Sequence, residues 1–230
     1  MYVEIIKGWA VKALYGEAFR EPTMFEFTEN PDLKPTEMKT GEISLHFSPL
    51  KNVAGQLVYY QNHASRIIEE APGIEDIIVN RGSKNVGGLE GLVKWQYGKF
   101  RGNIWYNYEH NPDDPDFMEI AKNKAGFGLI YNITEKISVS FQGKYTDKIK
   151  GYAMDKNLNE IKITIPEYKS FNLTFLAQQI SFTKFPETDF SFSVYNLFDT
   201  DNLYPDVRGS NPSCFLEEGR SFYAKAGIHF

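Results

Sequence analysis

Apolar and polar residues alternate along much of this chain. In Gly41-Glu42-Ile43-Ser44-Leu45-His46-Phe47 the odd positions are apolar and the even ones polar. From Phe100 to Glu109 the even positions are apolar, and Trp105 is the one exception on the polar side. Ile137, Val139, Phe141, Gly143 and Tyr145 alternate with Ser138, Ser140, Gln142, Lys144 and Thr146, and residues 170–177, 189–195 and 221–230 repeat the pattern. A strand sends successive side chains to opposite faces, so this period marks strands with one dry face and one wet face. Strands also fit, less cleanly, at roughly 5–15, 53–64, 84–96 and 122–131, which makes about ten. No segment has a convincing helical period.

The spacing between strands adds a second regularity. From the N-terminus the connections run to about 21, 5, 19, 2, 11, 4, 16, 3 and 21 residues, long and short in strict alternation. The short ones hold turn residues, as in Ser48-Pro49-Leu50-Lys51-Asn52 and at Gly98, and the long ones collect Pro, Asp, Asn and Glu. A soluble sandwich has no reason to put every long loop at one end. Antiparallel strands of an outer-membrane barrel do, because tight turns close one rim and long loops the other.

Composition narrows the choice further. Charged residues at 24%, hydrophobics at 42% and a mean hydropathy of −0.41 leave no apolar run long enough for a transmembrane helix. The aromatics, 18 Phe, 14 Tyr and 3 Trp, recur near strand ends, where barrel proteins place interfacial girdles. A soluble β core would use them too, since aromatics are good strand formers. A net charge of −5 gives no footprint for nucleic acid. A single cysteine, Cys214, excludes a disulfide framework and any multi-cysteine zinc site. The opening MYVEIIKGWA is not a secretory signal, so an exported chain would have its true N-terminus further upstream.

Four segments resemble a known family. Tyr15-Gly16-Glu17-Ala18-Phe19-Arg20-Glu21-Pro22-Thr23, followed by Asn30-Pro31-Asp32-Leu33-Lys34-Pro35-Thr36-Glu37, is similar to a stretch of TonB-dependent outer-membrane receptors. So are Asn80-Arg81-Gly82 with Gly88-Leu89-Glu90, Val194-Tyr195-Asn196-Leu197-Phe198-Asp199, and Gly219-Arg220-Ser221-Phe222-Tyr223 with the terminal Phe230. The resemblance covers the whole chain in order. It implies an all-β fold of antiparallel transmembrane barrel strands, residues 1–230 being the C-terminal part of a 22-stranded barrel with the plug domain absent. It also implies a place in the outer membrane of a Gram-negative bacterium. The implied function is import of a scarce nutrient such as an iron–siderophore complex, haem or cobalamin, energised by the TonB system through the missing N-terminal plug. Ten strands of such a barrel would leave two open edges, which lipid does not tolerate, so missing sequence must complete it or the chain must close by itself.

The implied partners are outer-membrane lipid, a small chelate or cofactor ligand, the TonB system and the barrel-assembly machinery; no nucleic acid, resident cofactor or metal is expected. Arg20, Phe25 and Phe27 in the first long loop, and Tyr204, Arg208 and Phe215 in the last, have the chemistry to bind a chelate. For Arg20 and Arg220 a barrel-building role is the preferred reading. Phe222, Ile228 and Phe230 in the last strand match the family's assembly signal, with Lys225 standing where a glycine is common. The scattered histidines His46, His63, His110 and His229 have no ligand-type spacing. The acidic run Asp113, Asp114, Asp116 and Glu119 reads as loop solvation. No catalytic constellation stands out. The alternative is a self-contained ten-stranded outer-membrane barrel, either an adhesin or a protease or lipid-modifying enzyme, with His110 near Asp113 and Asp114 its only candidate acid–base group.

Overall fold

The alternating segments form long strands in a computed structural model, which describes residues 2–70, 77–111, 120–154, 160–182, 185–205 and 214–229. In chain order these are β1 (Tyr2–Ile6), β2 (Trp9–Arg20), α1 (Met24–Glu29), β3 (Thr36–Leu50), β4 (Val53–Glu70), β5 (Ile78–Tyr97), β6 (Phe100–His110), β7 (Asn123–Asn132) and β8 (Ile137–Thr146). There follow β9 (Ile149–Met154), β10 (Glu160–Ile165), β11 (Tyr168–Phe182), β12 (Phe185–Tyr195), β13 (Leu203–Pro205), β14 (Cys214–Leu216) and β15 (Ser221–Ile228). The main sheet has the order β1-β2-β3-β4-β5-β6-β7-β8-β11-β12-β15, and β9 with β10 and β13 with β14 make separate hairpins. Neighbours in the sheet are thus neighbours in sequence, with the two hairpins inserted into long connections.

Long and short connections alternate as expected. Lys7-Gly8, Lys51-Asn52, Gly98-Lys99 and residues 133–136 close tight turns. Gly8 and Gly98 have φ of 82° and 53°, a backbone region that side chains disfavour. The long connections hold α1, the β9–β10 hairpin and the β13–β14 hairpin.

The structure corrects three details. The strand expected at 5–15 is two strands, β1 and β2, folded at Lys7-Gly8; a register shift between Glu4 and Ile6 breaks the period of two just where the turn begins. A helix is present, α1, with no buried residue. Its six residues are too few for a periodic signal, and it is held by a capping box instead: Thr23 Oγ1 accepts from Glu26 N (3.2 Å) and Thr23 N donates to Glu26 Oε2 (2.7 Å). Finally, β4 and β5 extend beyond 53–64 and 84–96, and the added stretches carry Ile68 and Ile78 into a buried cluster with Leu33.

Contacts separate the chain into two compact units. One comprises residues 1–47, 56–90 and 109–115. In it β2 and β3 pair Trp9 with Phe47, Val11 with Leu45 and Ala13 with Ile43 on one face, while Ala10 with His46 and Lys12 with Ser44 lie on the other. Its small buried cluster is Leu33, Ile68 and Ile78, under the connection that follows α1.

The other unit comprises residues 48–55, 91–108 and 116–230. Here the registers align Gly102, Leu129, Phe141, Leu173, Val194 and Phe222 across six strands, and alongside them Tyr131, Val139, Phe175, Phe192 and Ala224. The opposite face aligns Asn103, Gly128, Gln142 and Asn172, then Ser140, Thr174, Ser193 and Tyr223. The apolar face is open: Ile104 is 54% exposed, Phe175 46% and Phe222 62%. Water would make such a continuous apolar surface costly, and hydrocarbon removes the cost.

Trp105, the exception in the alternation, also has an explanation. Its ring lies over Gly126, where an added Cβ would come within 2.5–2.7 Å of Cζ2, Cε2 and Nε1. The polar face accepts one large ring there because its cross-strand partner has no side chain.

Candidate functional site

The sequence motifs bond to one another at the bases of the long connections. Asn30 Nδ2 donates to the carbonyl of Ile78 (2.8 Å). Asn80 Oδ1 accepts from Lys34 N (2.6 Å), while its Nδ2 donates to the carbonyls of Lys34 (2.8 Å) and Arg66 (2.9 Å). Arg66 has a left-handed backbone, φ 53°, and its carbonyl is held a second time by Thr36 Oγ1 (3.0 Å). The motif after α1 and the motif opening β5 are therefore two halves of one staple that roofs Leu33, Ile68 and Ile78.

The closing motifs behave in the same way. Asn196, buried with φ 48°, exchanges hydrogen bonds with Thr200 through both of its amide atoms (2.8 and 3.0 Å). Asp199 Oδ1 accepts from Arg220 N (2.8 Å), with the Arg220 guanidinium 3.6 Å from Asp199 Oδ2. Leu197 N donates to the Phe171 carbonyl (2.7 Å). These bonds fasten the end of β12, the start of β15 and the wall strand β11 to one another.

Against that background the predicted site residues divide. Arg20 is engaged in a two-armed pair with Glu26 (2.9 and 3.1 Å). The Arg20 guanidinium, with the Thr23 backbone N–H, lowers the Glu26 carboxyl to about 2. Phe25 and Phe27 stand on α1 with 69% and 51% exposure and no role in packing the core. Tyr204 and Phe215 face each other across the β13–β14 hairpin, so the structure brings these two together as a pair. Arg208 and Phe230 lie outside the described residues. Phe222 and Ile228 are both exposed on the apolar face of β15, where Phe222 stacks on Phe192 at 6.4 Å between ring centroids.

Sequence reasoning missed the surroundings of Tyr204. On the polar face, β11, β12 and β15 line a cavity of about 580 Å³ with Tyr168, Tyr195 and Tyr223, the serines 170, 191, 193 and 221, Asn172, Glu217, Glu218 and Lys225. Tyr168 and Tyr204 both donate their hydroxyls to Glu217 Oε1 (3.2 and 3.3 Å). Glu217 Oε2 is buried and has no hydrogen-bond partner. Burial, then the charge of Glu217, raises the Tyr204 hydroxyl above its usual range, so it remains a donor at any physiological pH. Asn202, almost fully buried, bonds both the N–H and the carbonyl of Lys169 at 3.0 Å, which pins the hairpin's base to the edge of β11. The wall tyrosines were legible only as members of alternating strands; nothing in the sequence singled them out.

The remaining candidates stay apart. His46 meets Ser44 (3.1 Å), His63 meets Asn85 (2.8 Å) and His229 meets Asp189 (2.9 Å), three different places in the sheet. Among the described residues no group of three metal-ligand side chains occurs. Asp113, Asp114, Asp116 and Glu119 lie outside the described residues, and with them the acid–base group imagined around His110.

A model of the "TonB dependent receptor-like, beta-barrel" family matches residues 2–197. The chain belongs to this family. Its members are outer-membrane transporters of Gram-negative bacteria and not enzymes, which removes the protease and lipid-modifying alternatives and places this chain in the outer membrane. Among solved structures, the ferripyoverdine receptor of Pseudomonas aeruginosa bound to ferripyoverdine superposes with a TM-score of 0.77 at 16% identity, over 98% of this chain and 31% of its own. The ferric-catecholate import receptor Fiu of E. coli K12 gives 0.74 at 16%, over 100% and 34%. A mutant of the ferric enterobactin receptor of Pseudomonas aeruginosa gives 0.77 at 15%, over 100% and 39%. The chain thus spans roughly a third of the length of the structures it matches.

Proposed function

We propose that this chain forms the later wall and outer loops of a receptor that imports a scarce nutrient, with a ferric siderophore as the first ligand class to test. The observation that carries the reading is the tyrosine-lined cavity on the polar face of β11, β12 and β15, beside the longest connection. A transporter wall needs hydrogen-bonding groups and flat rings facing the path of its cargo, and an apolar band behind them facing lipid. The matched receptors for ferripyoverdine, ferric catecholates and ferric enterobactin favour iron chelates over haem and cobalamin.

In this reading Phe25 and Phe27 on α1 are ligand contacts in one unit, and Tyr204, Phe215, Arg208 and the wall tyrosines are ligand contacts in the other. A plug encoded upstream blocks the path and couples to TonB. Lipid covers the face that carries Ile104, Phe175 and Phe222, and the barrel-assembly machinery reads the last strand through Phe222, Ile228 and Phe230.

The test is radio-iron uptake by a strain lacking the gene, supplied in turn with hydroxamate, catecholate and mixed-type ferric siderophores, then haem and cobalamin. Loss of one class, restored by the full-length gene and abolished by a protonophore, is the expected result. Uptake of every compound at the parental rate refutes it.

A further inference from the structure

Glu217 is an incomplete acceptor. One oxygen takes both tyrosine hydroxyls, and the other is shut away from water with nothing to accept from. A buried carboxylate oxygen without a donor is costly, so such atoms are normally satisfied, and Glu217 lines a cavity. Among the described residues that line the cavity, Glu217 and Glu218 stand against one cation, Lys225. Three tyrosine rings, Tyr168, Tyr195 and Tyr223, border it. Ring faces attract cations, and the Tyr168 ring already carries Lys144 Nζ at 5.2 Å from its centroid. The serine hydroxyls and Asn172 would satisfy further N–H donors.

We propose that this cavity is a subsite for a cationic amine arm of the ligand, which donates to Glu217 while tyrosine rings flank it. The proposal rests on the import reading above and narrows it, selecting ligands that bear a free ammonium or guanidinium group outside their metal-chelating atoms. An amine that donates to Oε2 places a positive charge beside the Tyr168 and Tyr204 hydroxyls bonded to Oε1. The binding is therefore visible at those two rings.

The experiment uses the full-length receptor in detergent, with fluorotyrosine incorporated, titrated with 1,4-diaminobutane and separately with its N,N′-diacetyl derivative while ring fluorine signals are followed. The diamine is expected to saturate in the millimolar range and the diacetyl compound to bind at least tenfold more weakly. Glu217→Gln keeps a carbonyl to accept from the two tyrosines and removes the charge, so the tyrosine signals persist and the diamine affinity falls at least tenfold. Tyr223→Leu leaves the Glu217 hydrogen bonds alone and weakens the diamine several-fold. Equal affinity for the two compounds, or a Glu217→Gln protein that titrates like wild type, overturns the subsite. Because no iron chelate is involved, that failure is separate from a failure of the uptake test.

Discussion

Replacing Asn80 with alanine removes three hydrogen bonds at once, to Lys34 N at 2.6 Å and to the carbonyls of Lys34 and Arg66 at 2.8 and 2.9 Å. A net contribution of about 1 kcal/mol each would give about 3 kcal/mol in total. Both bonds to Lys34 are solvent-exposed, and water replaces them in part, so about 2 kcal/mol is the expected loss. Because the staple roofs only Leu33, Ile68 and Ile78, the loss falls on local opening and leaves the sheet standing. Two kcal/mol corresponds to a roughly thirtyfold larger open population. Amide hydrogen exchange on the full-length receptor reads this directly at Lys34, whose N–H is bonded to Asn80, while Phe141 in the main sheet serves as an internal control. Asn80→Asp is at least as harmful, since it keeps the acceptor for Lys34 N but turns the two donors into lone pairs facing carbonyl oxygens. If Lys34 exchanges within twofold of wild type in Asn80→Ala, the motif is not a staple and the argument fails.

Gly126→Ala places a Cβ within 2.7 Å of three Trp105 ring atoms, so the ring must move, at a cost of about 1–3 kcal/mol. A shifted tryptophan emission with a lowered unfolding midpoint in urea is expected, and unchanged values for both would count against the fit. Asp199→Ala removes the acceptor of the Arg220 N–H and the carboxylate beside its guanidinium and should speed proteolysis near residue 200, whereas a cleavage pattern like the parent's would dismiss the tie. The Glu26 carboxyl, held near 2 mainly by Arg20, contributes to the α1 cap fully above the ordinary carboxylate range. That contribution falls away as pH drops from about 4.5 through 2, the direction expected for a group whose folded value is depressed. Exchange at the Thr23 and Glu26 amides across that range checks it, and Glu26→Gln should lack the transition. Deleting Phe230 in the full-length receptor should lower the amount inserted in the outer membrane, and normal surface levels would remove it from the assembly signal.

The motifs that made the family legible turn out to build loop bases. Asn30, Asn80, Asn196, Asp199 and Arg220 all make hydrogen bonds that hold the backbone around loop bases. Bonds of this kind serve the backbone, so these residues say little about a ligand. Arg20 belongs with them through its pair with Glu26. The residues with free faces, Phe25, Phe27, Tyr204 and Phe215, sit between or beyond the motifs, where only their chemistry recommended them.

By itself the sequence determined that this chain forms antiparallel strands with a dry face and a wet face, joined by tight turns and long loops in alternation. Both are local properties, set by the period of side chains along one strand and by the residues able to turn it. It also carried the family, whose model matches residues 2–197. Only the tertiary structure decided that Tyr168 and Glu217, 49 positions apart, share a hydrogen bond, and that Tyr204 on a hairpin reaches the same oxygen. No period records that meeting. It depends on the register of β11 against its neighbours and on how the β13–β14 hairpin is pinned to the edge of β11, which exist only once the sheet has formed.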